Sequence, residues 1–105
     1  MKNTIAEVDI FRIHDDVVWR NLDGEGVLLN LENNFYYSLN DTGTLIYEQI
    51  KEGRSVHQIL EYFFKVFSGE VAAETLKKDV FEVLADLLKE GLIERIVSAK
   101  KASEN

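Results

Sequence analysis

The stretch Phe35-Tyr36-Tyr37-Ser38-Leu39-Asn40-Asp41-Thr42-Gly43 constrains the fold more than any other, because an aromatic β segment there runs directly into a helix-starting signal. Phe35, Tyr36, Tyr37 and Leu39 are strand formers. Asn40, Asp41 and Thr42 are residue types that cap a helix by accepting hydrogen bonds from its free amides. The chain before this junction reads as strand, and the chain after it reads as helix. The last strand of a meander keeps one row of backbone donors and acceptors unpaired, to be covered, blunted or used to bind another chain.

In the front half, residues 1–16 read as an arm or a short extra strand carrying Val8, Ile10, Phe11 and Ile13. Val17-Val18-Trp19-Arg20 is a first strand, followed by the turn pair Asp23-Gly24, which tolerates positive φ. In the second strand Val27, Leu29 and Leu31 alternate with Leu28, Asn30 and Glu32, which predicts Val27, Leu29 and Leu31 as the core row. Asn33-Asn34 predicts a two-residue hairpin link to a third strand, Phe35–Leu39. In a simple meander the second strand is central, and the first and third are edges.

The back half predicts three helices. Leu45, Ile46 and Ile50 at helical spacing, with Gly53 as the stop, give a first helix over about 41–52. Ser55-Val56-His57-Gln58 is a capping box that opens a second helix, whose apolar face is Val56, Ile59, Leu60, Phe63, Phe64 and Phe67, with Gly69 at its end. These two helices, joined through Gly53-Arg54, resemble a helix-turn-helix pair. The third helix, about 72–90, is the longest and is stopped by Gly91. Its wheel gathers Leu76, Val80, Val83, Leu84 and Leu87 on one side and Asp79, Glu82, Asp86 and Glu90 on the other, so the acidic row reads as a solvated face. Phe81, Ala85, Leu88 and Leu92 widen the apolar arc, either against the other helices or along a groove beside the third strand. The tail from Lys100 to Asn105 reads as frayed.

The fold class is thus α+β: a three-stranded antiparallel sheet followed by three helices. One domain fits 105 residues, with a core over about 17–96, an arm or extra strand at 1–16 and a flexible tail at 97–105. Hydrophobic residues are 46% of the chain, more than disorder leaves. The polar start and the lack of a long apolar run predict a cytoplasmic protein without a membrane partner. With zero cysteines there is no thiolate chemistry. His14 and His57 are the only histidines, no phosphate loop or ligand spacing appears, and no enzyme activity, metal or cofactor is expected.

The run Gly26-Val27-Leu28-Leu29, Tyr37-Ser38-Leu39-Asn40-Asp41-Thr42-Gly43, Gly53-Arg54-Ser55-Val56 with Ile59, Asp79-Val80, then Leu84, Leu87, Leu88 and Gly91-Leu92-Ile93 resembles the PqqD family. The similarity covers about 17–96 and lies in the ordered series of matches. The resemblance implies a winged-helix-like peptide chaperone, the recognition element of ribosomally made, modified peptides. Such a domain holds the leader segment of a precursor peptide while an enzyme, such as a radical SAM maturase or a leader peptidase, acts on the core. It implies that the leader adds as an antiparallel strand to the third strand, in the cleft against the third helix. Carried onto this chain, the binding surface is Phe35, Tyr36, Tyr37, Ser38 and Leu39 on the strand, with Lys77, Val80, Phe81, Leu84 and Leu88 on the helix. Members serving lasso-type pathways share more of the Leu39-Asn40-x-Thr42-Gly43 pattern than members devoted to pyrroloquinoline quinone.

Two other readings use the same architecture. A winged-helix DNA-binding regulator would need a basic reading helix. Nineteen acidic against twelve basic residues give a formal charge of -7, which repels phosphate and weighs against nucleic acid. The unpaired edge would also serve a homodimer. The acidic third helix suits a leader carrying lysine or arginine beside its hydrophobic anchors.

Overall fold

A computed structural model describes residues 4–97. Its elements are β1 (Ile10–Ile13), β2 (Val17–Leu22), β3 (Glu25–Asn30), β4 (Tyr36–Leu39), α1 (Asp41–Lys51), α2 (Val56–Val66), α3 (Ala73–Lys89) and β5 (Ile93–Val97). The architecture is α+β, as the sequence predicts. The strands form two sheets, an antiparallel β2-β3-β4 meander and a separate antiparallel β1-β5 ladder. The expected three-stranded sheet is therefore present, and the first sixteen residues supply a strand that pairs with the far end of the chain. The tail from Lys100 to Asn105 lies outside the described residues.

Local chemistry explains most boundaries. Asp23 at φ 55 and Gly24 at φ 85 make the tight β2–β3 turn, a backbone twist that matches the strands it joins. Asn40 caps α1 by accepting the Gly43 amide at 2.8 Å. Ser55 and Gln58 cap α2 reciprocally, Oγ accepting the Gln58 amide at 3.2 Å and Oε1 accepting the Ser55 amide at 2.9 Å. α3 opens at Ala72 with no side-chain cap.

Every layer contributes to one core. Phe11, Leu28, Ile46, Phe63, Leu84 and Leu92 are each 1% exposed or less. Such a side chain contributes about 1.5–3 kcal/mol on burial. On α2, Val56, Ile59, Leu60 and Phe63 are buried, Phe67 is half-buried and Phe64 is exposed.

Two expectations about β3 and β4 need correction. The core row on β3 is not Val27, Leu29 and Leu31. Leu28 is fully buried, Leu29 is half-buried, and Leu31 lies beyond the strand and is exposed. Cross-strand partners share a face, and Leu28 pairs with Trp19 on one side and Tyr37 on the other, all three against the core. Val27 is buried but lies outside that core cluster. Asn30 follows Leu28 inward and is buried because its polar groups are used in the turn. Its amide donates to Phe35 O at 2.8 Å, and its Oδ1 accepts the Glu32 amide at 2.9 Å. The β3–β4 link is longer than two residues: β4 starts at Tyr36, Asn34 adopts φ 62, and Phe35 belongs to the turn.

Candidate functional site: an open strand edge beside α3

β4 is an edge strand, and among the described residues no other strand pairs with its outer side. The amino-terminal strand, which could have sealed this margin, pairs with β5 instead. The register fixes which backbone groups are free. In an antiparallel ladder, pairs that exchange hydrogen bonds alternate with pairs that do not. Asn30 and Phe35 lie opposite each other and are bonded, so Leu28–Tyr37 and Gly26–Leu39 are the bonded pairs within β3-β4. The other side of β3 agrees: Leu31 N–H donates to Asp16 O at 2.8 Å, which turns the odd-numbered residues of β3 to β2 and leaves the even-numbered ones for β4. The N–H and C=O groups of Tyr36 and Ser38 therefore point outward from the sheet.

Beside this edge lies a cleft of about 350 Å³, lined on the sheet side by Tyr37, Ser38, Leu39 and Glu25. Its helix side is Glu82, Val83 and Asp86, and Asn40 with Gly43 closes one end. Tyr37 spans the cleft, its hydroxyl donating a long hydrogen bond of 3.4 Å to Asp86 Oδ2. Burial, then the charge of Asp86 and that hydrogen bond, and finally Glu90, push the Tyr37 phenol above its ordinary range. A smaller cleft continues along the same flank between Asn40, Thr42, Asp79, Glu82 and Val83.

The residues singled out from sequence fall into two groups. Tyr37, Ser38 and Leu39 line the cleft, and Tyr36 stands at the edge, 62% exposed. Phe35 is in the preceding turn, also exposed. On α3 the structure separates the expected residues from the cleft. Val80 and Leu84 are fully buried in the core, and Phe81 and Leu88 are half-buried against it. Lys77 faces away from β4, with Nζ 3.3 Å from Glu7 Oε2 on the amino-terminal arm. The groups that α3 turns to β4 are Glu82 and Asp86, from the row read as a solvated face, and Val83, from the apolar stripe. The helical wheel grouped Glu82 and Asp86 correctly, and Val83 sits at the border of its two stripes. What the wheel lacks is the neighbour opposite.

The family model for coenzyme PQQ synthesis protein D (PqqD) matches residues 25–93. Among solved structures, the chain is 29% identical to TbiB1 in complex with the TbiA(beta) leader peptide, at a TM-score of 0.71, covering 83% of this chain and 99% of that one. It is 26% identical to a lasso peptide synthetase B1 complexed with the leader peptide, at a TM-score of 0.70, covering 85% and 99%. The PqqD truncation of Methylobacterium extorquens PqqCD, described as a stand-alone recognition element for ribosomally synthesized and post-translationally modified peptides, shares the fold at a TM-score of 0.71 and 20% identity, covering 90% and 100%. No curated protein matches the chain. A family match that runs from the first residue of β3 to the first of β5, over a fold that superposes on these structures, establishes that the chain belongs to the PqqD family.

Proposed function

We propose that this chain binds the leader segment of a ribosomally made precursor peptide as an added antiparallel strand on β4, and holds it for a modifying enzyme such as a radical SAM maturase or a leader peptidase. The observation that carries the reading is the outer side of β4, unpaired among the described residues, with Tyr36 and Ser38 offering N–H and C=O beside a cleft. Strand addition draws affinity from such main-chain groups and selectivity from alternate side chains. Support comes from the 29% and 26% identical structures, both of which are complexes with leader peptides. In an antiparallel addition, guest residues opposite Tyr36 and Ser38 exchange hydrogen bonds with them. Guest residues opposite Tyr37 and Leu39 turn their side chains into the cleft.

The test is anisotropy titration of a labelled leader peptide that binds this chain against wild type and Ser38→Pro. Proline removes one outward donor and leaves the ladder to β3 intact, since Ser38 does not donate to it. Binding should fall at least about tenfold. Unchanged affinity in a folded Ser38→Pro variant would contradict the reading.

A further inference from the structure

The cleft beside β4 gathers three carboxylates with no cation among them. Six acids elsewhere meet bases: Asp15 and Glu94 flank Arg12, Asp9 holds Arg95, Glu52 pairs with Arg54, Glu7 with Lys77 and His57, and Glu61 with His57. The polar groove between α1 and α2 carries Arg54 and Lys65 among its acids. The cleft holds Glu25, Glu82 and Asp86 with no cation in its lining, and none of the three has an ion-pair partner within 4.0 Å among the described residues. Its other walls are the β4 segment Tyr37, Ser38 and Leu39, Asn40 and Gly43 at one end, and Val83, so that the Tyr37 ring and Val83 add apolar surface beside the acids.

Resting on the strand-addition reading, we infer that the guest carries a lysine or arginine at the position opposite Tyr37, with its head group between Glu82 and Asp86. Pairing parity puts the side chain of that guest residue on the face that Tyr37 itself uses. Tyr37 already reaches Asp86 from this face, so a long basic side chain starting from the adjacent strand reaches the same carboxylate. Its methylenes lie along Val83 and its cation at the Tyr37 ring and the two acids. A guest aspartate or glutamate there meets three carboxylates of its own sign and is rejected. Burial first, and then the charges of Asp86 and Glu90, raise the Tyr37 phenol; of these, the two charges act on a cation in the favourable sense and burial in the opposite one.

The experiment selects a displayed library of short random peptides on the full chain. One selected clone is then made synthetically, along with its variant in which the basic residue is norleucine. Both peptides are titrated against wild type and the Glu82→Gln/Asp86→Asn double variant, whose amides keep size and, at position 86, an acceptor for Tyr37. The expected result is a lysine or arginine recurring at one alternate position, and a loss of about three- to tenfold on norleucine substitution in wild type that disappears in the double variant. Equal affinity of the two peptides for wild type, or an equal loss in both backgrounds, overturns the inference. Amide shifts of Tyr36 and Ser38 separate the two failures. If they move with both peptides while charge is ignored, the inference alone falls; if no selected peptide moves them, strand addition falls as well.

Discussion

Arg95 Nε lies 3.2 Å from Asp9 Oδ2, joining the start of the chain to its last strand around a carboxylate that is only 2% exposed. The same oxygen accepts the Ala6 amide at 2.9 Å, the Asp9 carbonyl accepts the Val56 amide at 2.9 Å, and the Arg95 guanidinium sits 5.3 Å from the Phe11 ring centre. One residue thus ties the arm, β5 and the start of α2. Asp9→Ala leaves the Ala6 amide without its acceptor and Arg95 with only the Thr4 carbonyl, and should cost about 2–3 kcal/mol of folding stability, with Asp9→Asn costing less because it keeps an acceptor. Urea unfolding checks this. Because Asp9 is remote from β4, leader affinity should not change in the folded fraction.

Gly26 presses on Trp19. A Cβ at position 26 would lie 2.9 Å from Trp19 Nε1, an indole nitrogen that has no hydrogen-bond partner among the described residues and belongs to a ring stacked at 6.5 Å on Tyr47. Gly26→Ala must therefore displace the ring, and should destabilise by about 1–2 kcal/mol. Trp19 is the only tryptophan, so its emission maximum reports the shift directly.

The arm should also respond to pH. Glu7 lies 3.1 Å from His57 Nδ1, Glu61 lies 3.2 Å from Nε2, and the His57 amide donates to Glu7 O at 2.7 Å. The hydrogen bond to Glu7, then the charge of Glu61, holds the His57 imidazolium above its ordinary value of 6.5. The hydrogen bonds to His57 and Lys77 hold the Glu7 carboxyl below its ordinary 4.5. A raised histidine stabilises fully below 6.5, and the effect fades as pH rises through its folded value. A lowered carboxylate stabilises above 4.5, and that effect fades as pH falls through its own folded value. Arm docking is therefore strongest between these limits, and protection of the His57 amide from exchange should decline on the alkaline side. His57→Gln should flatten that decline.

Residues whose partners are near in sequence announced themselves. The caps at Asn40 and Ser55, the Asp23-Gly24 turn and the stop at Gly53 are each set by groups within a few residues, so their chemistry is complete in the local string. The β1-β5 ladder is not of this kind. Ile13 pairs with Ile93, and nothing in either segment names the other. The core row on β3 failed for a different reason: Val27-Leu28-Leu29 is apolar at every position, and a one-residue choice of phase reverses the faces. On α3 periodicity correctly separated the acidic row from the buried Leu76, Val80, Leu84 and Leu87, while the packing of Glu82 and Asp86 beside β4 depends on where the sheet lies. Three of the expected binding residues, Tyr37, Ser38 and Leu39, line the cleft because they form the edge strand beside it, and the strand-forming residue types of that segment were legible in sequence.

Proline at neighbouring positions on β4 should give opposite outcomes. Tyr37 is a bonded partner of Leu28, so Tyr37→Pro removes a ladder donor and should destabilise the fold by about 3 kcal/mol, whereas Ser38→Pro should leave thermal unfolding nearly unchanged. A melting comparison of the two variants tests the parity assigned to the edge. If Ser38→Pro proved the more damaging, that parity would be reversed.

Strand addition on β4 also dictates one short contact. Tyr37 turns its N–H and C=O to β3, so its Hα faces the vacant side and would meet the Hα of the guest residue opposite, as in a non-bonded antiparallel pair with Cα atoms about 4.5 Å apart. The deciding measurement is an isotope-filtered nuclear Overhauser experiment on the labelled chain with unlabelled leader peptide. A strong Hα–Hα cross-peak between Tyr37 and the leader is the expected result. Leader contacts confined to the groove between α1 and α2, at Glu48, Gln58 and Tyr62, would contradict it.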